Sequence, residues 1–445
     1  MIPKPNIVIL DDDERHLKLL SDNLHVSGYA ALPVLFKNGK PQISEPLDSI
    51  QLLFLDMQLM IGVPAGAQTY DIVAVAMEKI IAPDNGPYVL VTWTTFSTEH
   101  SDLMQYLSEN LEGNVPIPAA SVCLDKNDYL NGQSNLKQGV IDATTSLPPQ
   151  VTALFGWYSA GRIAAGEVMN SLLRLVPRLE RFLGSSGPAM EKLLTAVARE
   201  GAGKNAGDDL TSAMNEGFGP ILMDRLLHST AVNKNRMEKA WKEAIPKPEG
   251  KPRLGDEEAL ELNTMTAIST HDINNVLAGS RGSVCINRDV LESDGVFREC
   301  FGDKKEEVLN EFAVPKRSLS KMEKQKLRAE FLDGGYFRLV GLSAACDHAW
   351  GKVPIKKLLL VVEMPNKFKE KFDTAKNGAI YKTPLFRLPH ENEGVKLIFN
   401  WRYHLSCAND MDDWEVIYRL KEPLISHITT TYHVYGFRPG RPDYR

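Results

Sequence analysis

Five cysteines are few for a chain of 445 residues, and Cys123, Cys285, Cys300, Cys346 and Cys407 never fall at the spacing of a metal-ligand pair. Their scatter and odd number argue against a disulfide framework and for a reduced, cytoplasmic protein. Long runs of Lys and Arg are also missing, and the net charge is −6, so general nucleic-acid binding is not expected. No apolar run approaches the roughly 18 residues that a membrane span requires. The opening Met1-Ile2-Pro3-Lys4-Pro5 has neither the apolar core nor the small-residue cleavage site of a secretory signal. Nor is there an internal repeat, a recognition-helix module, or a nuclease, cyclase or phosphorylase motif.

What is present is an ordinary globular composition, 43% apolar and 24% charged, long enough for two or three domains. Leu52-Leu53-Phe54-Leu55 is an uninterrupted apolar run that ends in Asp56. It is too short for a helix and reads as a strand buried on both faces of a parallel sheet. Asn6 to Leu10 is a similar run, ending in Asp11-Asp12-Asp13-Glu14, after which Leu17, Leu19, Leu20 and Leu24 recur at helical spacing. The alternation continues through a helix over Thr69 to Ile81, a strand over Tyr88 to Trp93, a helix over Glu99 to Leu111, a strand over Ala119 to Leu124 and a last amphipathic stretch toward Leu147. This pattern predicts an α/β domain over residues 1–147 with a five-stranded, doubly wound parallel sheet. Pro148-Pro149 marks a boundary, residues 148–325 read as mostly helical, and residues 326–445 read as a β-rich C-terminal domain.

In such a sheet the carboxyl ends of the strands are neighbours, so Asp11, Asp12, Asp56, Thr94 and Lys126 converge. Three carboxylates brought together call for a cation, and an all-oxygen ligand set suits Mg²⁺. A carboxylate attacking an anionic phosphoryl group needs that charge neutralised, and a lysine ammonium with a divalent ion does so. Asp13 and Glu14 read instead as the capped start of a helix.

Taken in order, Ile9-Leu10-Asp11-Asp12-Asp13, Phe54-Leu55-Asp56-Met57, Trp93-Thr94-Thr95-Phe96 and Leu124-Asp125-Lys126 resemble the receiver domain of two-component response regulators. The resemblance covers about a third of the chain and implies a flavodoxin-like fold. It makes Asp56 the phosphoacceptor, Asp12 a direct Mg²⁺ ligand, Asp11 a ligand through water and Gln58 a ligand through its backbone carbonyl. Thr94 becomes the switch hydroxyl, with Thr92 as its competitor, and Lys126 the phosphoryl contact. The implied partner is a sensor histidine kinase.

Two departures stand out. Asn127 follows the lysine where receivers usually carry proline, and Cys123 stands where many carry the aromatic that passes the signal onward. A receiver so altered resembles the accessory receiver of Detocs-type antiphage systems, which implies a phosphate sink with the remaining domains stabilising it, forming a homodimer or binding a partner. A different class of reading is a phosphorylation-gated effector enzyme using Cys346, Asp347 and His348 in the C-terminal domain. A transcriptional regulator ranks third.

Overall fold

The computed structural model describes residues 4–60, 62–64, 66–111, 115–130, 135–207, 210–228, 234–247, 249–250, 253–269, 273, 276–343, 355–376, 378–389, 393–408, 411 and 413–436. The chain divides into two compact units, residues 1–165 with 228–249 and residues 166–227 with 250–445. Pro148-Pro149 is not where they part. Pro149 instead opens the helix Pro149–Leu175, where a missing N–H costs nothing because a helix start leaves that group unbonded.

The first unit holds six strands: β1 (Ile7–Asp11), β2 (Leu32–Lys37), β3 (Lys40–Pro41), β4 (Leu52–Leu55), β5 (Val89–Thr94) and β6 (Ala120–Asp125). Their order is β3-β2-β1-β4-β5-β6, and all neighbours are parallel except the short β3, which runs antiparallel to β2. Helices α1 (Glu14–Val26), α2 (Ala67–Ile80), α3 (His100–Asn110), α4 (Lys126–Leu130) and α5 (Leu136–Thr145) alternate with them. Val8, Leu10, Leu53, Leu55 and Leu90 pack with Val73 and Met77 of α2 and Leu103 of α3. Their neighbours in sequence, Ile9, Phe54, Val89, Val91 and Trp93, pack with Leu17, Leu20 and Leu24 of α1 and Leu136 and Val140 of α5. β1, β4 and β5 therefore bury both faces, which is why they read as largely apolar runs.

The sheet has six strands where five were expected; four lie where the pattern placed them, and of the two it left unassigned β3 is only two residues long and β2 is obscured in hydropathy. Pro33 interrupts it, and proline argues against a central strand. In the fold β3 pairs only with Phe36 and Lys37, so Pro33, opposite Ile9, stands where β2 has no outer strand to bond.

Helices make up the middle of the chain, at Pro149–Leu175, Arg178–Leu183, Gly187–Ala202, Leu210–His228, Lys234–Ala244 and Asp256–Ala267. Pro177 stands at the N-cap of the second of these. Gly201 lies inside the helix Gly187–Ala202, where a Cβ would strike the Ala213 carbonyl and the Gly217 amide.

The second unit is built on a seven-stranded antiparallel sheet. Its strands are β7 (Ser283–Ile286), β9 (Phe337–Gly341), β10 (Ile355–Pro365), β12 (Ile380–Lys382), β13 (Phe386–Arg387), β14 (Gly394–Ala408) and β15 (Glu415–Arg419), while β8 (Ala313–Pro315) and β11 (Phe372–Thr374) form a separate pair. β7 lies before residue 326, so the β-rich part draws on sequence that reads as helical. Leu358, Leu360 and Val362 of β10 face one core with Phe297, Phe312 and Phe331, and Leu359 and Val361 face another with Phe399, Trp401 and Tyr418. Within this apolar setting Glu363 is buried, paired with Arg338 at 2.9 Å and accepting a hydrogen bond from the Tyr418 hydroxyl at 2.8 Å. Among the described residues no helix is long and apolar enough to cross a membrane.

Candidate functional site

Parallel pairing with Leu10 opposite Leu55, Leu55 opposite Thr92 and Thr94 opposite Asp125 brings the carboxyl ends of β1, β4, β5 and β6 to one edge. Asp11 closes β1, Asp56 follows β4 directly, and Lys126 is the first residue after β6. The Asp56 amide donates to the Leu10 carbonyl at 2.9 Å, which ties the two acidic strand ends together.

Lys126 is the centre of the arrangement. Its Nζ donates to Asp11 Oδ2 at 2.7 Å and to Asp56 Oδ2 at 2.7 Å. The three residues are 2%, 0% and 6% exposed respectively, so the ion pairs are shielded from solvent. The other oxygens are also engaged: Asp11 Oδ1 accepts from the Asp13 amide at 2.9 Å, and Asp56 Oδ1 from the Gln58 amide at 3.2 Å. Asp13 caps α1 as expected, accepting from the Arg15 amide at 2.8 Å, and the Arg15 guanidinium holds its carboxyl well below the usual range.

Burial acts the opposite way on the other two acids. It pushes the Asp56 carboxyl up to about 6, against the pull of Lys126 and with a further push from Asp11. Asp12, half-buried, is raised by burial first and by the neighbouring Asp11 charge second. One oxygen from each of Asp11, Asp12 and Asp56 lies within 4.8 Å of the others. Three carboxylates and one ammonium leave two negative charges uncompensated. A hard divalent cation with oxygen ligands matches both the donor set and that deficit.

A cavity of about 510 Å³ opens above these groups, lined by Asp12, Asp56, Gln58 and Lys126, with His16, Phe36, Lys37 and Thr95 among its other walls. Asp11 lies beneath it. Of the two competing threonines, neither lines the cavity, and both are fully buried. Thr94 Oγ1 accepts from the Phe96 amide at 3.0 Å. Thr92 Oγ1 lies 2.8 Å from Nδ1 of His100, whose charged form is disfavoured by burial. Cys123, half-buried beside Thr92, has its thiol pushed up by burial.

The edge thus gathers Asp11, Asp12, Asp56, Gln58 and Lys126, with Thr94 at the end of its strand. His16, Lys37 and Thr95 were not anticipated. His16 is a first-turn residue of a helix that starts at the acidic edge, and that placement was the available signal. Lys37 depends on the unrecognised β2. Cys346, Asp347 and His348 lie outside the described residues. No protein-family model matches the chain, and a search of curated proteins gives no match.

Proposed function

We propose that the first unit is a receiver that accepts a phosphoryl group from a histidine kinase on Asp56, in a flavodoxin-like doubly wound fold. The order β2-β1-β4-β5-β6 of its five parallel strands supports that fold. The observation that carries the function is the buried Lys126 ammonium, held at 2.7 Å from both Asp11 and Asp56. An apolar strand end that buries two carboxylates on one lysine maintains an expensive charge arrangement, and such arrangements concentrate at reactive sites.

In the transfer, an Asp56 carboxylate oxygen forms a bond to phosphorus as the P–N bond of phosphohistidine breaks, the electron pair leaving with the imidazole. Lys126 contacts a phosphoryl oxygen as a charged donor and offsets the charge brought into the buried site. Asp11, Asp12 and Asp56, with the Gln58 carbonyl, would hold Mg²⁺. When bound, that ion neutralises the remaining charge of the carboxylates and the phosphoryl oxygens. The cavity above Asp56 is larger than a phosphoryl group needs, which leaves room for the donor side chain. With Cys123 replacing the usual aromatic on β6, acceptance itself is the proposed role: a phosphate sink in an antiphage two-component system.

Full-length protein incubated with radiolabelled acetyl phosphate and Mg²⁺ should acquire acid-stable, base-labile label, which is lost on chelation of Mg²⁺ before donor addition and in Asp56→Ala. Label that persists in Asp56→Ala would refute the acceptor assignment.

A further inference from the structure

His16 is the one cavity residue whose contacts define its own chemistry. Its Nδ1 lies 3.4 Å from Lys126 Nζ and 3.6 Å from Asp11 Oδ1. Only the first of these is within hydrogen-bond distance. A lysine ammonium has three donors and no acceptor, so in that contact Nδ1 must present its lone pair. A neutral imidazole then carries its single proton on Nε2, on the side of the ring away from Lys126. His16 also lines the cavity over Asp56.

We infer that His16 is a positioning residue for phosphoryl transfer, taking the third donor of Lys126 on Nδ1 and offering Nε2–H to an oxygen of the incoming phosphoryl group. The inference rests on the acceptor reading of Asp56. Before transfer the three Lys126 donors face Asp11, Asp56 and His16; as the phosphoryl group arrives, the donor held by Asp56 Oδ2 passes to a phosphoryl oxygen, with Asp11 and His16 keeping the ammonium in place. The ring therefore acts on both sides of the reaction: it fixes the cation already present and meets the anion that arrives. A buried lysine held by carboxylates alone would leave one donor undirected.

Two measurements on the full chain test this. First, NMR of nitrogen-labelled histidine in metal-free protein at mildly alkaline pH should show His16 as the Nε2–H tautomer, and Lys126→Met should remove that preference. A proton on Nδ1 in the wild-type ring would overturn the inference. Second, with labelled acetyl phosphate and Mg²⁺, His16→Leu should slow labelling of Asp56 by roughly tenfold, the effect of removing one hydrogen bond to a charged group. His16→Asn, whose Oδ1 stands in for Nδ1, should recover part of that loss. Labelling of His16→Leu at the wild-type rate would overturn the inference while leaving Asp56 as acceptor. Absence of label from the wild-type protein would count against the acceptor reading instead, with the tautomer still deciding the Lys126 contact.

Discussion

Replacing Asp56 with asparagine keeps the shape of the side chain and removes its charge, and it should stabilise the metal-free protein. Burial raises the Asp56 carboxyl from 3.8 to about 6 in the folded chain. About two units correspond to on the order of 3 kcal/mol by which folding disfavours the ionised form. Lys126 retains Asp11 at 2.7 Å, so the substitution does not strand the ammonium. The sign fixes the pH dependence. Between the unfolded and folded values the native state holds a proton that the unfolded chain has lost, so the group's contribution is fully present below 3.8 and lost as pH rises through about 6. Asp12 is shifted the same way and adds to the trend. Asp56→Asn should therefore gain stability of about 1 to 3 kcal/mol near pH 7, with the gain fading toward about pH 4. Because the chain has two compact units, the assay is hydrogen exchange of β1 and β4 amides in chelator-treated protein across pH, not a single unfolding midpoint. A variant less stable than wild type at neutral pH, or a difference that does not change with pH, would refute the electrostatic account.

Two further substitutions follow from the packing. Lys126→Met leaves the Asp11 and Asp56 carboxylates facing each other without their cation. It should cost on the order of 3 to 5 kcal/mol in metal-free protein, read by the same exchange experiment. Gly341→Ala places a Cβ against the Ser280 carbonyl oxygen and the Gly279 backbone, neither of which can swing aside. A loss of about 2 kcal/mol is expected, measured as faster exchange in β9 and β10.

The acidic edge was legible because each strand that builds it is sandwiched between helices. Burial on both faces of β1 and β4 forces an unbroken apolar run, and the first polar residue after the run marks the strand end: Asp11 after Leu10 and Asp56 after Leu55, while Lys126 follows the half-buried edge strand β6 directly. β2 escaped that logic because Pro33 is a breaker everywhere except on an unpaired flank. β7 escaped it because four residues, Ser283 to Ile286, are too few to establish a period. His16 was illegible for a different reason. Its place in the first turn of α1 puts it near the acidic edge, but its partner Lys126 is 110 residues away in sequence, and helix position alone does not name that partner. The ends of β10 and β14 extend past the apolar positions that announce them. Ladder bonds, unlike burial, leave no trace in residue type.

Glu363 has a consequence for how the second unit finds its fold. Leu358 through Val362 are five consecutive buried aliphatics, and a slide of two residues would exchange one such side chain for another at little cost. Aliphatic contacts alone leave the strand adhesive but without an address. The carboxylate supplies one, since in the observed alignment it meets Arg338 and the Tyr418 hydroxyl, and a slide would pull it from them. The trio thus excludes wrong pairings more than it strengthens the right one. Replacing it with a well-packed apolar set would leave β10 free to settle in more than one register.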